Sequence, residues 1–203
     1  MRLADEISRR SRRRKLSLFL ETIAPTADTT VLDLGADDLG FGDTGGGVST
    51  LNFFEEHYPW PERITALGLS AGERFRERYP QIRYVQGDAL DLPFADGEFD
   101  VVFSNAVVEH VGGRELQRRF VAEALRVARR VFITTPNRWF PLEVHTLLPV
   151  VHWLPDPLAH RAYDLARKPW AKENHLLGPR ELLDLFPGDV RIVNRGMTLA
   201  AIV

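Results

Sequence analysis

The 203-residue sequence contains no cysteine. That removes a disulfide framework, a thiolate zinc site and a cysteine nucleophile from consideration. Long hydrophobic runs are lacking too: none approaches the roughly 20 apolar residues that span a bilayer. Neither sign of charge dominates, with 26 Lys and Arg against 28 Asp and Glu and a net charge of −2. Such a balance gives no bulk attraction to nucleic acid or acidic membranes. Lysine is scarce, being confined to Lys15, Lys168 and Lys172. The basic start is followed by "LSLFL", which Glu21 interrupts too soon for a secretory leader. A cytoplasmic protein without stable membrane insertion is the expectation.

Hydrophobic residues make up 44% and charged residues 27%, as in ordinary globular proteins, and the length suits one domain over 1–203. Residues 1–28 form an N-terminal helical segment, with Ile7, Leu16, Phe19, Leu20 and Ile23 as apolar positions over 6–23. Its run "SRRSRRRK" reads as a solvated helix face rather than as a nucleic-acid patch. Strand-like runs then alternate with helical ones: "TVLDLG", "STLNFFEEHYP" capped by Ser49 or Thr50, "ITALGL", "AGERFRERYP", "IRYVQGD", "FDVVFSN", "GRELQRRFVAEALRVAR" and "RVFITTP". Continuous apolar strands separated by single helices predict a parallel sheet covered on both faces, an α/β doubly wound fold. After the helix "GPRELLDLF", the runs "VRIVNRG" and "TLAAIV" flank Gly196 and predict an antiparallel hairpin. Residues 139–176 break the alternation. They hold Trp139, Trp153 and Trp170, four of the six histidines and five prolines, and read as an inserted aromatic cap over a ligand crevice.

In such sheets ligands lie beyond the carboxyl ends of the strands. Gly35 lets the chain turn tightly after the first strand, and Asp33 places a carboxylate there, able to anchor a ligand ammonium. Asp37, Asp38 and Asp43 make the following loop acidic, which repels a pyrophosphate and tolerates a cation. Further on, Asp88 is positioned to accept from an exocyclic amine, and Ala89 and Leu90 to contact a ring. Ser104 and Asn105 end the strand "FDVVFSN".

The pattern "VLDLG", "GDALDLPFADGEFDVVFSNAVVEHV" and "LRVARRVFITTPNRWFP" resembles class I S-adenosylmethionine-dependent methyltransferases of the type-11-like, small-molecule group. The resemblance runs from about Val31 to the hairpin. It implies a Rossmann-like sheet of seven strands, mostly parallel, with an antiparallel C-terminal hairpin, and S-adenosyl-L-methionine as cofactor. Carried over, Asp33, Gly35 and Ala36 belong to the methionine-wrapping loop. Gly68 and Leu69 stand at the end of the second strand, Asp88, Ala89 and Leu90 at the adenine turn, and Ser104 and Asn105 beside the methyl donor. Two departures stand out. "GADDLG" replaces a Gly-x-Gly-x-Gly loop, and Gly68 replaces the carboxylate that usually grips the ribose hydroxyls. Losing that acceptor costs about 1.5–3 kcal/mol unless Ser70 or the acidic loop replaces it.

Methyl transfer from a sulfonium is an in-line displacement, helped by a base where the acceptor carries a proton. His110 and His145 are the candidate bases, with Glu109 or Glu143 orienting or substituting; a helix cap and packing under the cap are their structural alternatives. The cap histidines are spaced by 7, 8 and 15 residues, which is not a metal-ligand spacing, so no metal is expected. The aromatic cap suits a small aromatic or apolar acceptor and permits interfacial contact with a membrane. Basic and aromatic residues are not interleaved there, so a nucleic-acid partner is not expected. Two other classes compete. A nicotinamide oxidoreductase lacks its Gly-x-Gly-x-x-Gly here, and a non-catalytic regulatory protein on the same fold is favoured by Gly68.

Overall fold

The computed structural model describes residues 2–36, 38 and 52–203, the side chains of 2–5, 7 and 8 excepted. Its helices are α1 (Arg2–Ile23), α2 (Phe53–His57), α3 (Glu73–Arg78), α4 (Arg114–Val127), α5 (Asp156–Leu165) and α6 (Pro179–Leu183). Its strands are β1 (Val31–Leu34), β2 (Ile64–Gly68), β3 (Arg83–Gln86), β4 (Phe99–Asn105), β5 (Ala128–Pro136), β6 (Arg191–Asn194) and β7 (Thr198–Ile202). They form one seven-stranded sheet in the order β3-β2-β1-β4-β5-β7-β6. β1, β2 and β3 pair in parallel, with Asp33 opposite Ala66 and Gly68 opposite Gln86, whereas β7 runs antiparallel to both β5 and β6. The expected doubly wound sheet with a C-terminal hairpin is therefore the fold. Every residue of β1 and β2 is buried, as their unbroken apolar runs require of strands covered on both faces. No helix among the described residues is long and apolar enough to cross a membrane.

The chain divides into two compact units, residues 1–103 with 124–130, and residues 104–123 with 131–203. In the first, α1 buries Leu18, Phe19 and Ile23. The Phe19 ring stands edge-on to Phe54 and Phe103, at 5.4 and 5.3 Å, and those two rings stack at 3.9 Å. The last turn of α1 is closed from far along the chain. Arg130 donates from Nη1 to the Ile23 carbonyl (2.6 Å) and from Nη2 to that of Thr22 (2.7 Å), two of the carbonyls a helix end leaves without an intrahelical donor. Thr30 fastens the start of β1 to β4: its N–H and hydroxyl both donate to Asp100 Oδ2, each at 2.9 Å. The arginine run on α1 is not uniformly solvated. Arg9, Arg10, Arg13 and Arg14 are exposed, but Arg12 is half-buried.

Some boundaries shift. The expected cap at Ser49 or Thr50 lies outside the described residues; α2 follows Asn52, whose backbone is left-handed (φ 53°). α4 stops at Val127 and Ala128 already opens β5. In the second unit, the buried Gln117 of α4 donates to the carbonyls of Val108 (3.2 Å) and His175 (2.8 Å). The 139–176 segment consists of two 3-10 turns, Val151–Trp153 and Pro169–Glu173, on either side of α5.

Candidate active site

In the first unit, β1 delivers Asp33 into the interior, 5% exposed. The chain turns at Gly35 with φ +99°, a conformation that favours glycine. The Gly35 and Ala36 amides both donate to the Leu67 carbonyl, at 3.0 and 3.1 Å, so they clamp the turn onto β2. Asp33 meets a second buried carboxyl, Glu55 of α2. Burial, then the nearby Glu55, push the Asp33 carboxyl well above its ordinary range. Glu55 rises to about 7, chiefly by burial, which its hydrogen bonds and the Arg12 guanidinium only partly oppose. Arg12 itself is lowered by burial, with Glu55 working against that. Two buried carboxyls thus meet, with the partly buried Arg12 beside Glu55, and Glu55 Oε1 has no hydrogen-bond partner among the described residues. Such a set suits a cationic ligand group.

The end of β2 explains its missing carboxylate. A Cβ built on Gly68 would lie 2.3 Å from the Tyr84 hydroxyl and 2.4 Å from the Ala36 carbonyl oxygen. No side chain fits there. Tyr84, on neighbouring β3, occupies the space and donates from its hydroxyl to the Ser70 carbonyl (3.1 Å), with Ser70 Oγ at 3.3 Å. A polar hydroxyl pair therefore stands where the family's acid is expected. Leu69 is 77% exposed. At the adenine turn, Asp88 Oδ1 accepts from the Leu90 amide (2.9 Å), Ala89 is buried, and the Asp88 carboxylate itself faces solvent. In the acidic loop, Asp38 Oδ1 accepts from the Phe75 amide (2.8 Å) in the first turn of α3. Asp37, Asp43 and the glycine-rich stretch lie outside the described residues.

In the second unit, Ser104 is fully buried, and Asn105 Oδ1 accepts from Thr134 Oγ1 (2.9 Å). The Ala106 amide donates to the Thr134 carbonyl (2.8 Å), and the following turn presents Glu109 and His110. Glu109 is fully buried; Oε2 accepts from Thr135 Oγ1 (3.0 Å), and Oε1 lies 3.6 Å from His145 Nε2 and 3.9 Å from His110 Nε2. The two imidazoles meet edge to face at 4.9 Å. His145 Nδ1 lies 2.8 Å from Glu143 Oε1, an oxygen that also accepts from the His145 amide (3.0 Å), while Oε2 accepts from the Thr146 amide (2.6 Å). Burial alone would raise Glu143, but these donors bring it down to about 2. It is a fixed anion, so the His145 Nδ1 donates to it, and Nε2 faces Glu109. Burial lowers His110, with Glu109 opposing and His145 adding to the effect.

The structure thus gathers the three residues expected to do chemistry, Glu109, His110 and His145, with Glu143 behind them. Sequence reasoning missed Thr135, which fixes Glu109, and, in the first unit, Glu55, Arg12 and Tyr84. A buried Glu inside the apolar run "FFEEH" was the one available signal. The 139–176 segment also departs from its aromatic reading. Trp139, Trp153 and Trp170 are 60%, 42% and 48% exposed, and none of them lines the segment's cavity of about 300 Å³. That cavity is lined by polar groups, including Arg114, Arg138, Glu143, His152 and Asn174. His152 Nε2 lies 2.9 and 3.1 Å from the Arg138 and Phe140 carbonyls, so it is the donor. His152 Nδ1 and Asn174 Nδ2 remain buried without a hydrogen-bond partner among the described residues.

Residues 38–131 match the family model described as a methyltransferase domain. An uncharacterized methyltransferase of Synechocystis is 35% identical over 104 residues, 49% of this chain and 42% of that protein. Ajmaline N-methyltransferase of Rauvolfia serpentina is 38% identical over 69 residues, 34% of this chain and 22% of that protein. The chain thus spans less than half the length of the curated relatives it matches. Among solved structures, the N-methyltransferase NodS of Bradyrhizobium japonicum, in complex with S-adenosyl-L-homocysteine, superposes with a TM-score of 0.58 at 14% identity. That likeness covers 94% of this chain and 85% of NodS.

Proposed function

We propose that the chain carries a class I S-adenosylmethionine-dependent methyltransferase domain, with S-adenosylmethionine as its cofactor, and that it methylates a small acceptor; the family match and the named relatives support the reading. Residues 1–28 serve as an N-terminal helical segment and 139–176 as a cap. Asp33, Gly35, Ala36, Gly68, Leu69, Asp88, Ala89 and Leu90, with Ser104 and Asn105, hold the cofactor. Asp33 and Glu55 answer its positive charge, and the Tyr84–Ser70 hydroxyls substitute for the ribose acid. When bound, the cofactor supplies an electrophilic methyl group.

The observation that carries the reading is the fixed Glu143–His145 pair beside Glu109 and His110. Glu143 holds the His145 ring so that Nε2 is free of a proton and takes the one the acceptor loses as its new bond to carbon forms. An oriented base of this kind contributes about 10²–10⁴-fold to a rate. His110 and Glu109 position the acceptor. The polar cavity, with one donor and one acceptor atom unsatisfied, favours an acceptor that carries polar groups on an aromatic or apolar body. The name of ajmaline N-methyltransferase supports this class, as does that of the phthiotriol/phenolphthiotriol dimycocerosates methyltransferase of Mycobacterium tuberculosis.

A second reading, a regulatory protein of this fold without turnover, draws support from Gly68, where no carboxylate fits. Calorimetric titration with S-adenosylmethionine and S-adenosylhomocysteine tests both. Micromolar binding, weakened at least tenfold by Asp88→Ala, together with turnover in an acceptor screen that His145→Gln depresses, is expected. Binding without turnover on any acceptor leaves the regulatory reading; no binding at millimolar ligand overturns the cofactor site.

A further inference from the structure

We propose that Glu109, His110 and His145 form a site for a divalent transition-metal cation. One ligand atom from each residue lies within 4.8 Å of the other two. Around a cation with bonds of about 2.0–2.2 Å, tetrahedral neighbours stand roughly 3.3–3.6 Å apart. The distance from Glu109 Oε1 to His145 Nε2, 3.6 Å, already meets that spacing; His110 Nε2, 3.9 Å from the same oxygen, must move inward toward both.

An independent observation points to a ligand in the same place. Glu109 is fully buried, its Oε2 is taken by Thr135, and its Oε1 is aimed at the two imidazole nitrogens without a hydrogen-bond donor among the described residues. A buried carboxylate oxygen without a donor is costly, and a cation at that point satisfies it. The surroundings are those a metal requires of its ligands' supports. Glu143 accepts the Nδ1–H of His145 and so turns Nε2 inward, the carboxylate–histidine arrangement that orients and strengthens an imidazole ligand. Thr135 fixes Glu109 from the other side by donating to its Oε2. His110 is 43% exposed, so the site opens to solvent on its side and leaves coordination positions for water or an acceptor oxygen; in the metal-loaded chain His145 Nε2 is a ligand, the cation acidifies the bound acceptor, and the base role proposed above belongs to the metal-free chain. Two imidazoles and one carboxylate favour zinc, iron(II) or cobalt(II) over magnesium and calcium, which prefer all-oxygen sets. The sequence spacing concealed the site because His145 was weighed against the other cap histidines rather than against the Glu109–His110 pair.

The test uses the full chain freed of metal with a chelator and titrated with cobalt(II), followed by visible absorption and calorimetry. One equivalent is expected to bind, with a d–d absorption band and a rise in melting temperature that grows with cobalt concentration. Glu143→Gln is expected to weaken binding about 10–100-fold, and Glu109→Gln and His110→Asn at least as much. His57→Gln, far along the chain in α2, leaves it unchanged. Absence of binding at millimolar cobalt and zinc overturns the proposal, as does wild-type affinity in folded Glu109→Gln and His110→Asn. His110→Asn keeps the test decisive if removal of the buried Glu109 charge prevents folding. S-adenosylhomocysteine titrated into the same metal-free protein reads the methyltransferase proposal separately, whichever way cobalt behaves.

Discussion

Glu55→Gln removes the buried carboxyl beside Asp33, and its effect follows from where Glu55 titrates. In the folded chain Glu55 stands at about 7, against an ordinary 4.5. Between those values the native chain keeps a proton that the unfolded chain has released. A group that binds protons more tightly when folded contributes stability at low pH and loses it as pH rises. The stability tied to Glu55 is therefore complete below about pH 4.5 and gone above about pH 7. The span is worth about 3 kcal/mol, at about 1.4 kcal/mol per pH unit. The amide of Gln does not titrate, so Glu55→Gln flattens this part of the profile. Arg12 loses a counter-charge in the variant, which lowers stability at every pH at which Glu55 was ionised and trims the gain. The diagnostic quantity is therefore the difference in slope between variant and wild type. Urea melts at pH 5 and pH 8 give it directly, and a 3 kcal/mol change corresponds to about 6–12 °C in melting temperature for a chain of this size. Parallel profiles for the two proteins would refute the assignment of Glu55 as a buried acid held near neutrality.

Four further outcomes are expected. Because a cationic ligand favours ionised Asp33 and Glu55, S-adenosylmethionine binding releases protons and tightens as pH rises toward 8; calorimetry in two buffers of different ionisation enthalpy counts them. Gly68→Ala is destabilised by about 1–3 kcal/mol through overpacking, and Tyr84→Phe in the same chain does not rescue it, because the Ala36 carbonyl still lies 2.4 Å from the new Cβ; chemical denaturation measures both. Phe19→Ala costs about 3–5 kcal/mol, since the ring is fully buried against Phe54 and Phe103, and thermal melting reads the loss. Gln117→Leu leaves the Val108 and His175 carbonyls without their donor, at a cost of about 1–3 kcal/mol, again visible in a denaturant melt.

The sheet was legible because its strands are buried on both faces, so "TVLDLG", "ITALGL" and "FDVVFSN" print as apolar runs without alternation. The hairpin was legible from Gly196, which turns with φ +73°. In the second unit, Glu109, His110 and His145 could be named because each follows a strand or lies in the odd segment. Their mutual distances could not, since they depend on the fold of residues with no periodic pattern. On the cofactor side, a motif position can show that a carboxylate is absent but not what takes its space. Tyr84 fills it from a neighbouring strand, a fact of register rather than of sequence spacing. Arg12 was hidden for the opposite reason: one arginine of a run of several turns inward, and composition treats them alike. The tryptophans misled because aromatic residues so often line pockets, whereas here they stand outward and the cavity is polar.

The guanidinium that closes α1 comes from Arg130, which is 107 and 108 positions beyond the carbonyls it receives. Order of synthesis and order of completion therefore run in opposite directions for this helix. Until Arg130 has been made, nothing in the native position donates to the Thr22 and Ile23 carbonyls. α1 is thus made before, and secured after, the rest of its unit. Loop closure over more than a hundred residues must precede it, so the last turn of α1 reports on arrival of the whole first unit, and hydrogen exchange there serves as a clock for folding during translation.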